Sequence, residues 1–212
     1  IMNENFNNLN LYGDVKETSG GPSWTGEVDG YSVTEFFVND NKSLEIHFLK
    51  PNPNFETQRP IKIWVNAIDP DKVTVWENKT PEQCLKNEVT KQNRLIKNLA
   101  LNFVEQDVYE AAFKGFKPSG SLEDQFVAFV NKVKELLPAN YAETTGRLVV
   151  GYNAKGYLTC PSTLFWNKET QRWMPFFSVD PEVELQPLPS KLTLTKPVPQ
   201  ETVAAADVDD DF

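Results

Sequence analysis

The sequence predicts an α+β fold in which a small antiparallel β-barrel is interrupted by a helical block and followed by an acidic, disordered C-terminal tail. Three observations carry this expectation. Runs of alternating apolar and polar residues lie on both sides of residues 80–138, the residues between them recur at helical spacing behind capping signals, and the chain closes on aspartates that no core accepts. With 212 residues and 40% hydrophobic content, the chain can bury one good core.

Residues 1–30 read as an N-terminal arm, rich in Asn and broken by Gly13, Gly20, Gly21, Pro22, Gly26 and Gly30. The barrel is expected over 31–180. YSVTEFFV (31–38) is rich in β-branched and aromatic residues, 39–42 forms a turn, and SLEIHFL (43–49) returns as a half-buried strand. Leu44, Ile46 and Phe48 face the core there, and His47 falls on the polar face as an exposed strand histidine. Pro51, Pro53 and Pro60 mark a loop. IKIWVNA (61–67) then sets Ile61, Ile63 and Val65 against Lys62, Trp64 and Asn66. After an Asp-Pro-Asp turn at 69–71, KVTVWE (72–77) predicts a further strand, with Val73 and Val75 inward and Lys72 and Trp76 outward.

The helical insertion is expected over 80–138. Thr80 suits an N-cap, Pro81 the first helical position and Gln83 the capping-box offset. Leu85, Val89, Leu95, Ile96, Leu99 and Phe103 form one stripe through 81–104, and 105–113 predicts a second helix. Ser121 caps a third, whose stripe is Leu122, Phe126, Phe129, Val130, Val133 and Leu137, and Pro138 ends it. Strands return over 146–153, 157–160, 164–166 and 171–179, with a tight turn at 153–156 and an edge or bulge at Pro175. The prolines from Pro181 onward make 181–212 a linker and tail. Strands, helices, then strands, with helices after the third strand, is the plan of an OB-fold with an enlarged connection.

Chemistry is sparse. No GxxxxGK[ST], GxSxG, HExxH or EF-hand loop occurs. Cys84 and Cys160 stand far apart and read as free thiols of a reducing cytoplasm, and His47 is alone, so neither a zinc site nor a triad is expected. Asp69 and Asp71 sit where a turn needs Asp. No enzyme activity, cofactor or metal is expected. No stretch approaches the ~18 apolar residues of a membrane span, and the polar N-terminus does not read as a secretory leader.

What remains is a surface. Single strands of nucleic acid are held by rings that stack on bases and by cations that meet phosphates. The outward faces of 61–67 and 72–77 offer Lys62, Trp64, Lys72 and Trp76; the later strands offer Arg147, Lys155, Tyr157, Trp166, Arg172 and Trp173, with Tyr152 beside them. The alternative is that these rings cover the seam between barrel and helical block. The net charge of −9 is uneven. Glu201, Asp207, Asp209, Asp210 and Asp211 stand in the last twelve residues without a Lys or Arg, and the rest of the chain carries −4.

The terminal Phe212 behind four aspartates suits a tail that docks, the ring filling an apolar pocket while carboxylates meet basic residues at its rim; the alternative is a solvated acidic end in which Phe212 has no role. An aromatic body, a proline-spaced linker and an acidic tip ending in Phe together resemble single-stranded DNA-binding proteins, notably those of bacteriophages. NRLIKNLALNFVEQ (93–106) and GRLVVGYNAKGYLTCP (146–161) are similar to segments of such proteins. The resemblance implies binding of single-stranded DNA with little sequence preference during phage DNA replication, recombination and repair, in the host cell cytoplasm. It implies that Asp207, Asp209, Asp210, Asp211 and Phe212 recruit replication or repair proteins and compete with DNA for the body. The body departs from it in not being overtly basic. A homo-oligomer is compatible with this reading, and the choice between DNA and RNA is open. Two rivals stand beside it: a protein–protein adaptor or virion structural component, and a metal-dependent nuclease.

Overall fold

The computed structural model describes residues 26–50 and 59–196. The acidic tail and most of the N-terminal arm lie outside the described residues. The chain forms β1 (Glu27–Val38), β2 (Leu44–Leu49) and β3 (Ile61–Val65). The helices α1 (Pro81–Ala100), α2 (Gln106–Phe113) and α3 (Leu122–Leu136) follow. β4 (Thr145–Val149), β5 (Gly151–Tyr152), β6 (Leu158–Thr159), β7 (Phe165–Asn167), β8 (Arg172–Met174) and β9 (Phe177–Ser178) complete it. The fold is α+β: a five-stranded antiparallel sheet in the order β3-β2-β1-β4-β9, with β5–β6 and β7–β8 as separate two-stranded ladders. Among the described residues β3 and β9 do not pair with each other, so the expected barrel is an open sheet.

β1 organises the sheet. It pairs with β4 through Glu27–Ser32 and with β2 through Ser32–Val38, and its register shifts twice, between Asp29 and Tyr31 and between Val33 and Glu35. Each shift inserts one residue and resets the period-2 alternation. Val28, then Tyr31 and Val33, then Phe36 and Val38 therefore all reach the core although their spacing is irregular. Gly30 sits in the first shift at φ +84°, a conformation side chains rarely adopt. The strand begins at Glu27, four residues before its expected start at Tyr31.

The helices form where their signals stand. Thr80–Gln83 and Ser121–Asp124 are complete capping boxes, with side chain and backbone satisfying each other at both helix starts. Pro81 occupies the first turn of α1. α3 packs across β1 and α1 packs on α3. Ile96, Val130 and Val133 are fully buried there, while Phe48 meets Phe176 and Phe177 at ring-centroid distances of 6.1 and 5.5 Å.

Two expectations fail for physical reasons. Residues 73–77 form no strand: the Asp69 side chain accepts the Asp71 N–H (3.1 Å), Pro70 sets a 3-10 turn over Pro70–Lys72, and the turn leads the next residues away without pairing to any described strand. Val75 is exposed as a result. Residues 181–196, expected as linker, are folded onto the body. Leu185 and Gln186 are buried, the Gln186 N–H donates to Pro175 O (2.7 Å), and Thr193 bridges Tyr152.

Candidate nucleic-acid interface

β4 and β9 are adjacent in the sheet, yet 27 residues separate their facing ends, and the chain uses that length to build two hairpin arms. Both arms turn on an asparagine. The Asn153 side-chain oxygen accepts from the N–H groups of Lys155 (3.0 Å) and Tyr157 (3.1 Å), and Asn167 accepts from those of Glu169 (2.8 Å) and Thr170 (3.1 Å). Such side chains mimic a backbone turn and close short hairpins without a long loop. The first arm, β5–β6, presents Lys155 and the 67%-exposed Tyr157. The second, β7–β8, pairs Trp166 with Trp173 across its ladder, ring centroids 5.2 Å apart and tilted 56°. Arg94 of α1 lies over Trp173, 4.8 Å from the ring centroid, within cation–π range. Arg94, Trp173 and Trp166 thus form one run from helix to solvent, and Phe165 and Trp166 are exposed at its outer end.

The other candidate surface is the outer face of β2 and β3. Cross-strand register sets Glu35, His47 and Lys62 in one row and Phe37, Glu45 and Trp64 in the next. Glu45 is the hub: its carboxylate lies 2.6 Å from His47 Nε2, accepts Lys62 Nζ at 3.2 Å and accepts Asn39 at 3.3 Å. Hydrogen bonding from His47 above all, with smaller help from Asn39, Lys62 and Trp64, holds its carboxyl down to about 2. His47 Nδ1 lies 3.0 Å from Glu35 Oε2. The histidine is buried, contrary to its expected exposure, because these two carboxylates and the edge of Phe37 close over it. This face neutralises itself, and Trp64 stands out from it 53% exposed.

The predicted residues therefore divide. Lys155 and Tyr157 lie on the first arm and Trp166 and Trp173 on the second, with Tyr157 and Trp166 open to solvent and Trp173 half-buried under Arg94. Arg172 is exposed on the second arm but pairs with Glu184 at 2.8 Å. Lys62 is tied to Glu45, and Lys72 to Asp69 at 2.9 Å. Trp76 is 64% exposed, on the irregular segment after the 3-10 turn and not on a strand.

Arg147 is the clear correction. β4 is an interior strand, and the guanidinium is buried between Glu27 of β1 and the carbonyls of Asp180 (2.9 Å) and Val183 (2.5 Å). It has no surface to offer. Arg94 was missed because charges on a helix read as solvated. Its signal is its place at the border of the apolar stripe, immediately before Leu95 and Ile96.

Among the described residues no group of three or more His, Cys, Asp or Glu side chains is placed to hold a metal ion, and Asp69 serves its turn and Lys72. Cys84 and Cys160 are free and buried, and burial pushes the Cys160 thiol well above its ordinary range. No helix among these residues is long and apolar enough to cross a membrane. Comparison of the chain with protein-family models, with curated proteins and with solved structures returned no match.

Proposed function

We propose that this chain binds single-stranded DNA with little sequence preference, through the hairpin arms and the outer face of β2 and β3, and that its acidic C-terminal residues recruit replication or repair proteins of an infected host cell. The observation that carries the reading is the strand path. The order β3-β2-β1-β4-β9, with helices between β3 and β4, follows the path of an OB-fold, which is a partly open five-stranded barrel. In that plan nucleic acid lies on the second and third strands and on the loop between the fourth and fifth. Here that loop is the pair of arms, which carry Tyr157, Phe165 and Trp166 exposed, and Lys155, which makes no ion pair with a described residue. Bases stack on the rings, at about 1–3 kcal/mol each, and cations meet the backbone.

A second reading, a protein–protein adaptor or virion component, is favoured by one observation. Lys62, Lys72 and Arg172 already have carboxylate partners, so the exposed rings keep few free cations beside them. Titration of fluorescent oligo-dT against salt separates the two. We expect binding at ~50 mM salt that weakens with a log–log slope near −0.7 per phosphate neutralised. Removal of residues 204–212 should tighten binding several-fold. Absence of binding at that salt selects the adaptor.

A further inference from the structure

A pocket of about 210 Å³ opens where the end of β3, helix α1 and the second hairpin arm meet. Val65, Leu95 and Leu164 give it apolar walls; Trp173 closes one side, and Arg94 and Thr163 stand among its polar lining. It is smaller than the ~300–1,000 Å³ that encloses a drug-sized ligand, so it suits one flat ring system and excludes a whole nucleotide. Arg94 sets its chemistry. The guanidinium is half-buried and stacked on Trp173, and it makes no ion pair with any described residue. The two other charged residues of the lining, Glu88 and Lys91, occupy each other at 2.6 Å. A guanidinium fixed by stacking presents its remaining N–H donors in a rigid plane, which matches adjacent acceptors on a flat ligand.

We infer that this pocket takes a single unstacked nucleobase, and that it favours bases carrying carbonyl acceptors, thymine and guanine, over adenine. Guanine O6 and N7 accept a bidentate arginine, and thymine offers carbonyl oxygens, whereas adenine pairs an acceptor with an amino donor that Arg94 cannot use. The strand that delivers the base rests on the function proposed above. The run from Arg94 through Trp173 to Trp166 leads from the pocket to the exposed rings, so one base turns inward while its neighbours stack outside. Binding is then tolerant of sequence at every position except one.

The test uses uncharged nucleosides, which take the phosphate term out of the measurement. The full chain is titrated with thymidine, deoxyguanosine and deoxyadenosine while the Trp173 indole N–H is followed by NMR. Thymidine and deoxyguanosine should move that signal at concentrations about fivefold or more below those needed for deoxyadenosine. Arg94→Lys, which keeps the charge but loses the planar fork, should erase the difference, and Leu164→Trp, which fills the pocket with Arg94 intact, should abolish the response. A Trp173 signal indifferent to all three nucleosides overturns the inference, as does discrimination that survives Arg94→Lys. So does a shift of the same size on removing residues 197–212 with no nucleoside present, because the occupant is then the chain's own C-terminal segment. Nucleoside binding without oligo-dT binding would overturn the proposed function and keep the pocket; oligo-dT binding with a silent Trp173 would do the reverse.

Discussion

Arg147 shows how a residue's role depends on which strand carries it. In the sequence it opens an apolar strand and reads as one of several cations on an aromatic-rich surface. In the structure its strand lies between β1 and β9, and the guanidinium turns inward to Glu27 and two carbonyls. Strand order cannot be read from alternation alone, so neither could the burial. Removing one partner of a buried pair leaves an uncompensated charge. Arg147→Ala should therefore cost about 3–5 kcal/mol in urea unfolding, and any loss of oligonucleotide binding should follow the unfolded fraction. Glu45 makes a second residue-scale prediction. Its folded carboxyl is held at about 2 against an ordinary 4.5, so it contributes stability above pH 4.5 and loses it as pH falls from 4.5 towards 2. Glu45→Gln should lower stability at neutral pH and lack that acid-dependent loss when midpoints are compared across the window.

Elements were legible in proportion to how local their causes are. Both long helices begin at the capping boxes the sequence displays, because a cap is satisfied within four residues. β1 was legible as a strand but not in length or register, since two bulges hide its alternation and only its neighbours reveal them. Residues 72–77 alternate as well as any strand in the chain, yet alternation does not make a strand without pairing, and these residues pair with no described strand. The hairpin arms were recognised as turns and short strands, but the meeting of the second arm with α1, which brings Arg94 onto Trp173, is a tertiary fact. At this scale the two tryptophans of the second arm separate cleanly. Trp166→Ala should weaken oligo-dT binding by about 1–3 kcal/mol with little change in stability. Trp173→Ala removes a half-buried ring packed against Arg94 and Trp166, and should lower the unfolding midpoint as well. Trp64, exposed on a face that neutralises itself, should give a smaller binding loss than Trp166.

For the whole molecule, the boundary between body and C-terminal segment decides how the parts are used. Proline spacing suggested that the body ends near residue 180. Packing carries it to residue 196 at least, because those sixteen residues supply what the sheet lacks. Val183 accepts from Arg147, Leu185 enters the core, and the Tyr152–Thr193 bridge ties the first arm to the returning chain. Gly151 makes the fit specific: a Cβ there would stand 2.9 Å from both Leu188 Cδ1 and Leu192 Cβ. Periodicity could not disclose this, since an extended segment that packs by side chain and isolated bridge has no repeat to read. A chain ending at Lys196 keeps every contact described, whereas one ending at Asp180 loses the Val183 acceptor, the Leu185 side chain and the Thr193 bridge together. Loss of the Leu185 side chain alone is worth about 2–5 kcal/mol, against a total stability of about 5–15 kcal/mol for a domain. The shorter chain should lose cooperative thermal unfolding by circular dichroism, and the longer one should retain it. Equal unfolding of the two would return residues 181–196 to the linker and leave Glu27 and Asp180 to hold Arg147 without Val183.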